Sequence, residues 1–321
     1  MLRSSKWFPS LVALTLGVLV FAQEKSDQPL TIRTDTRLVV LHASVVDTKG
    51  KPVPKLPQSA FKVFENGAPQ EIKGFVQEDV PVSLGLIIDN SGSMRPKRQK
   101  VEAAALALVK ASNPKDEVFI VNFNDEAFLD QEFTSDVKKM EEKLARIDSR
   151  GGTAMRDAIS MSIDYMKESG KKDKKVLLVI TDGNDNNSRG TLERLVQKCQ
   201  TTDGVLVYAI GLLNEEERGE AKKAQKALNA ITIGSGGVSY YPKELSEVER
   251  IALQIASDIR SQYTITYRPS NESLDGSFRK INVTVAGPGH PMVRTRSGYY
   301  ASPEAKTTSA ANSASPLSRA P

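Results

Sequence analysis

Two rhythms alternate along the chain. Aliphatic and β-branched side chains crowd residues 38–46, and Asp47-Thr48-Lys49-Gly50 closes that run as a turn. Phe61-Lys62-Val63-Phe64 alternates apolar and polar and meets Glu65-Asn66-Gly67, whose Asn-Gly pair signals a hairpin. Residues 70–76 then supply the returning strand. From Val82 to about Gln262 the pattern changes. Short apolar runs at 82–88, 117–123, 175–180 and 205–212 are separated by helical spacing at 97–111, 135–147, 154–168, 191–202, 220–230 and 245–261. Shorter strands are predicted at 128–133, as an edge, and at 238–241. Fully apolar strands between helices imply a parallel sheet covered on both faces. After Gln262 the alternation of strands returns at 263–267, 278–285 and 292–300.

Neither flanking β segment has enough strands for a core of its own. The economical solution pairs them, giving an α/β fold: a doubly wound, mostly parallel sheet inserted in a small all-β sandwich built from both ends of the chain. The expected organisation is a signal peptide at 1–22, a flexible lead-in at 23–36 and an N-terminal β segment at 37–80. The α/β domain follows at 81–262, then a C-terminal β segment at 263–301 and a disordered tail at 302–321. The signal rests on Arg3 and Lys6, the apolar run 11–21 and the small residues around Val20-Phe21-Ala22. That run is short of the roughly 20 residues that span a bilayer, and no cysteine stands at the cut to carry a lipid. A protein exported to the cell envelope, periplasm or exterior is expected, with no membrane span after cleavage.

Composition narrows the chemistry. Apolar residues make 39% and charged residues 26% of 321 residues, which suits a chain with a real core. The single Cys199 excludes an intramolecular disulfide and a cysteine-based zinc site, and at helical spacing from Leu192, Leu195 and Val196 it reads as core. His42 and His290 are far apart in sequence, against a His-rich metal site. The formal charge of +5 is mild and scattered, so nucleic acid is not the expected partner.

The informative residues follow strands. Asp89-Asn90-Ser91-Gly92-Ser93 comes after the first apolar strand, Gly151-Gly152-Thr153 before a helix, and Thr181-Asp182-Gly183 after the strand at 175–180. In a doubly wound sheet the carboxyl ends of neighbouring strands face one crevice. Two carboxylates and three hydroxyls would meet there: Asp89, Ser91, Ser93, Thr153 and Asp182. An oxygen-only set with few carboxylates suits a small octahedral ion, Mg²⁺ or Mn²⁺.

These three motifs, in this order, resemble the metal-ion-dependent adhesion site of von Willebrand factor type A domains, over roughly Val82 to Gln262. The flanks resemble secreted bacterial proteins that carry this domain, through Phe-x-Val-x-Glu-x-Gly at 61–67, Gly-x-Phe-Arg-x-Ile-x-Val at 276–283 and Arg-x-Gly-Tyr-x-Ala at 296–301. The resemblance implies that the five residues hold the cation, directly or through water, and that an open position accepts an acidic residue of a protein partner. It implies a binding module and no enzyme. The main alternative is an envelope scaffold whose metal site only stabilises the fold.

Other readings have less support. A serine nucleophile would need a base, and both histidines lie in the outer β regions; a metal-dependent hydrolase is therefore the weaker reading. A role in ATP-driven metal insertion does not fit an exported chain. The run Asn184–Asn187 lacks the spaced oxygens of a calcium loop and reads as a polar rim. Lys171–Lys175 reads as a solvated loop, and Tyr240 and Tyr241 as a strand end. Arg95, Lys97, Arg98 and Lys100 crowd the start of the first helix, where cations are unfavourable. Either their long side chains reach water, or they meet an acidic partner surface.

Overall fold

The computed structural model describes residues 38–77, 79–144, 149–201, 205–302 and 318–319. The expected signal peptide and lead-in lie outside the described residues, as does most of the tail. One sheet has seven strands: β5 (Val82–Asp89), β6 (Glu117–Phe123), β7 (Ala127–Thr134), β8 (Lys174–Thr181), β9 (Val205–Gly211), β10 (Ser239–Tyr240) and β15 (Ser318–Arg319), in the order β10-β9-β8-β5-β6-β7-β15. All neighbours are parallel except β6 and β7. Alternate residues of one strand feed opposite cores. Leu84, Leu86, Ile88, Val176, Leu178 and Ile180 pack beneath α1 (Arg98–Ala111), α2 (Val137–Leu144) and α6 (Val248–Ser261). Ile87, Val121, Leu177 and Val179 face α3 (Met155–Ser169), α4 (Leu192–Thr201) and α5 (Arg218–Ser235). That is why these strands carry no polar alternation: both faces are buried.

The remaining strands are β1 (Val39–Val46), β2 (Phe61–Glu65), β3 (Ala68–Gln70), β4 (Ile72–Val76), β11 (Tyr263–Tyr267), β12 (Phe278–Val285), β13 (Met292–Arg294) and β14 (Gly298–Tyr300). They form two four-stranded sheets, β13-β1-β11-β4 and β14-β12-β2-β3, around one apolar cluster. Each sheet mixes the two ends of the chain: β1 pairs with β11, and β2 with β12. The expected sandwich with an inserted α/β domain is therefore the observed architecture. Asn66 and Gly67, at φ 48° and 85°, make the tight turn between β2 and β3 that the Asn-Gly pair announces.

Three expectations need correction. The run 292–300 is two strands in different sheets, because the chain crosses between them at Thr295–Ser297. Residues 70–76 divide likewise: Gln70 closes β3 in one sheet and Ile72 opens β4 in the other. The tail expected to be disordered contributes Ser318–Arg319 as a parallel partner of Phe128–Leu129. Strand β7 otherwise presents an open row of backbone donors and acceptors, which a passing strand can satisfy whatever its composition.

A buried polar seam joins the two halves. Gln262, directly after α6, donates to Ser44 Oγ at 2.9 Å and to Tyr208 Oη at 3.0 Å, and Tyr208 donates to Asp258 at 2.7 Å. Lys174 reaches the Ile259 carbonyl at the carboxyl end of α6, a favourable place for a cation. Among the described residues no helix is long and apolar enough to cross a membrane.

Candidate functional site

Strands β5 and β8 are adjacent and parallel, with Ile88 opposite Ile180, so Asp89 and Thr181 leave the sheet side by side. Thr181 donates its hydroxyl to Asp89 Oδ2 at 2.6 Å, and the Ser91 amide donates to Asp89 Oδ1 at 2.8 Å. The chain then bends so that the Ser91 and Ser93 hydroxyls lie 3.1 Å apart, and Ser93 donates to Asp182 Oδ1 at 2.9 Å. Four of the five expected residues thus form one connected group.

Thr153 arrives from a third loop. Its amide donates to Asn186 Oδ1 at 3.0 Å, while its carbonyl accepts from the Asn186 and Asn187 amides at 3.1 and 3.2 Å. Its hydroxyl faces the turn after Asp182: a Cβ added to Gly183 would lie 3.9 Å from Thr153 Oγ1. The same loop is tied to the first one, since Gly92 donates to the Gly151 carbonyl at 3.3 Å and Arg150 to that of Asn90 at 2.9 Å. Gly151 sits at φ 80°, and the place of a Cβ there is taken by the Asp125 carboxylate, which accepts from the Gly152 amide at 2.8 Å. Only glycine satisfies both demands.

The two carboxylates are held differently. Asp89 is 2% exposed and meets only neutral donors, and burial pushes its carboxyl up to about 6, although the bonds from Thr181 and Ser91 oppose the shift. Asp182 is fully buried and meets a cation: Lys97 Nζ lies 2.6 Å from its Oδ2 and 3.0 Å from Glu215 Oε2. Burial pulls the Lys97 ammonium down, but its bonds to Asp182 and Glu215 outweigh that and hold it above the usual lysine range.

Lys97 corrects the expectation of four cations facing outward. It is 4% exposed and points into the site, because Gly92–Lys97 is a 3-10 turn and α1 begins only at Arg98. Arg95 donates to the Ser149 carbonyl at 2.9 Å and Arg98 pairs with Glu102, so three of the four cations are held by the protein itself. Thr181, Lys97 and Glu215 are the residues that reading the sequence did not assign to the site. Thr181 was signalled by its place before Asp182; the 3-10 turn that aims Lys97 inward had no clear signal.

At the rim, Asp185 accepts from the Arg156 amide at 2.7 Å, its side chain at 3.1 Å, and the Ser188 amide and hydroxyl at 3.0 and 2.7 Å. It braces the loop, as a polar rim should. Cys199 is buried in the core, and burial pushes its thiol up to about 12.

Among the described residues, no three His, Cys, Asp or Glu side chains converge as metal ligands. A cation here would rest on two carboxylates supplemented by hydroxyls. That donor set fits a small hard ion because all the candidate atoms are oxygens, although one Asp182 oxygen is paired with the Lys97 ammonium.

Residues 84–184 match the von Willebrand factor type A domain family. A comparison with curated protein sequences found no match. Among solved structures, a von Willebrand factor type A protein from Catenulispora acidiphila superposes with a TM-score of 0.50 at 13% identity, over 81% of this chain and 74% of that one. That likeness is one of fold. BatB from Bacteroides thetaiotaomicron (20% identity, 56% of this chain and 100% of that one, TM-score 0.44) is also similar. So is the domain of the type V pili tip protein Mfa5 from Porphyromonas gingivalis (15% identity, 57% and 97%, TM-score 0.45).

Proposed function

Since the chain is a von Willebrand factor type A domain protein, we propose that it is an exported protein-binding module of the adhesion type. In this reading Asp89, Ser91, Ser93, Thr153 and Asp182 hold Mg²⁺ or Mn²⁺. The ion, when bound, supplies a Lewis-acidic position for a carboxylate oxygen of a protein partner. The observation that carries the reading is the convergence of these residues at the carboxyl ends of β5 and β8, with Ser93 hydrogen-bonded to Asp182 across 89 positions of sequence. The chain's own residues preorganise the site: Thr181 and the Ser91 amide orient Asp89, while Asn186 fixes the backbone of Thr153.

Binding is favoured over turnover. Neither histidine is near the serines as a base: His42 is buried in β1, and His290 lies between β12 and β13. Envelope localisation rests on the sequence of residues 1–22. A scaffold whose ion only stabilises the fold is the rival, and Lys97 weighs against it, because the ammonium already neutralises buried Asp182 without an ion.

Calorimetric titration with Mg²⁺ and Mn²⁺ tests the site. Asp89→Ala should abolish binding while the chain stays folded by circular dichroism, because the loss of an acceptor for Thr181 and the Ser91 amide is offset by removal of a carboxylate that burial disfavours. Equal affinity in both proteins would exclude this placement. Recovery of one exported partner with Mg²⁺ and its loss with EDTA, while the protein stays folded, separates binding module from scaffold. Turnover of a simple ester or phosphate that Ser91→Ala removes would instead identify an enzyme.

A further inference from the structure

Lys97 is a buried ammonium at the centre of the site, and the proposed ion binding does not by itself use it. Its partner Asp182 is fully buried, with one oxygen accepting from Ser93 and the other held by Lys97 at 2.6 Å. The carboxylate is thus neutralised from inside the protein. The same Nζ lies 3.0 Å from Glu215, whose side chain is 68% exposed. Glu215 ends the 3-10 turn Leu213–Glu215 after β9, so it stands on the water side of the ammonium while Asp182 stands on the protein side. Lys97 therefore has an inner and an outer carboxylate in reach at once.

A divalent ion bound at Asp182 would meet this ammonium at close range in a site poor in water, where like charges repel strongly. The outer carboxylate offers a way out. We propose that Lys97 is the exchangeable counter-cation of the site: it neutralises Asp182 in the ion-free protein and passes to Glu215 when a divalent ion enters. Ion affinity is then set by this handover, and Lys97 and Glu215 act as positioning residues with opposite effects. The inference rests on the metal reading above, and its test separates the two. The handover needs little motion, because Glu215 already shares the ammonium and a lysine stem has four rotatable carbons. It also explains why a cation sits at the amino end of a helix: attraction to Asp182 at 2.6 Å offsets the unfavourable field of the helix end.

The test uses the full chain and Mn²⁺, with free ion followed by electron paramagnetic resonance and thermal unfolding recorded alongside. Lys97→Gln should bind Mn²⁺ at least tenfold more tightly than the unmodified protein. Its melting temperature should fall in EDTA, where Asp182 is left buried without a cation, and recover on adding Mn²⁺. Lys97→Arg, which keeps the charge, should bind no more tightly than the unmodified protein. Glu215→Gln, at an exposed position that should not disturb folding, should weaken Mn²⁺ binding several-fold. Lys97→Gln binding Mn²⁺ as the unmodified protein does, or more weakly, would overturn the handover while leaving the metal site standing. An unchanged affinity in Glu215→Gln would overturn it even if Lys97→Gln failed to fold. If neither the unmodified protein nor a folded Lys97→Gln takes up Mn²⁺, both the metal reading and the handover fall.

Discussion

Replacing Glu65 tests whether the two ends of the chain form one core. Glu65 closes β2, from the amino-terminal segment, and is 3% exposed. Its Oε2 accepts from Tyr267 at 2.8 Å and from Tyr299 at 3.0 Å, both from the carboxyl-terminal segment and both buried. Burial, then the bond to Glu65, pushes the Tyr267 phenol far above its usual range, so it stays a donor at any working pH. Glu65→Ala would remove the acceptor that two buried hydroxyls share. Each such loss costs about 1–3 kcal/mol, so about 2–6 kcal/mol is expected for the sandwich. Glu65→Gln keeps an acceptor and gives up only the charge assistance, for about 1–2 kcal/mol. Hydrogen exchange resolved by peptide is the assay, because a two-part chain need not unfold in one step. Protection should fall in β1 and β12 by roughly 30-fold or more, with β5 and β8 little changed, at about 1.4 kcal/mol per tenfold. A loss under about 1 kcal/mol for Glu65→Ala, or an equal loss in β5 and β8, would refute the reasoning.

Other outcomes follow from the same structure. A chain ending at Gln262 lacks β11 to β14, so residues 39–76 should become protease-sensitive while the α/β part stays folded; protection of that segment would contradict the shared sandwich. Burial, aided by Lys174 and Arg296, lowers His42 from 6.5 to about 3, so the fold holds it neutral while the unfolded chain protonates below 6.5. Its contribution is therefore complete above 6.5 and lost as pH falls toward 3, about 2 kcal/mol by pH 5; His42→Gln should flatten the slope of stability against pH between 7 and 5 in urea titrations. Cys199, buried with its thiol pushed up to about 12, should react with a thiol reagent only after unfolding, and rapid labelling of the native protein would contradict its place in the core.

Much of the fold was legible because its signals are local or doubly determined. The apolar runs that became β6, β8 and β9 are buried on two faces, so no other element type accommodates them between helices. The run 263–267 alternates because Tyr263, Ile265 and Tyr267 face the sandwich core while Thr264 and Thr266 do not. What escaped depends on partners distant in sequence. Nothing within residues 292–300 says that Val293 will face Val45 while Tyr299 faces Arg279, because both halves alternate equally well. The pairing of Ser318–Arg319 depends on the vacant edge of β7, not on the composition of the tail. At the site, the motif spacing placed Asp89, Ser91, Ser93 and Asp182 together, since strand ends in a parallel sheet converge whatever lies between them.

Lys97 shows where such reasoning needs the local geometry as well. Helical spacing carried back from α1 makes residue 97 a solvent-facing first-turn position, where a lysine would reach water. The chain instead winds as a 3-10 turn from Gly92, with three residues per turn, so residues three apart eclipse one another. Met94 is packed into the core at 2% exposure, and the position three further on falls on the same side. The turn therefore commits whatever stands at 97 to the interior. An apolar residue there would simply extend the core; an ammonium requires an acceptor, and the end of β8 supplies Asp182 at 2.6 Å. The buried pair is thus a joint consequence of the turn that presents Ser93 and the strand that presents Asp182. The lysine that would oppose a divalent ion is carried by the same turn that supplies Ser91 and Ser93 to the proposed ion site.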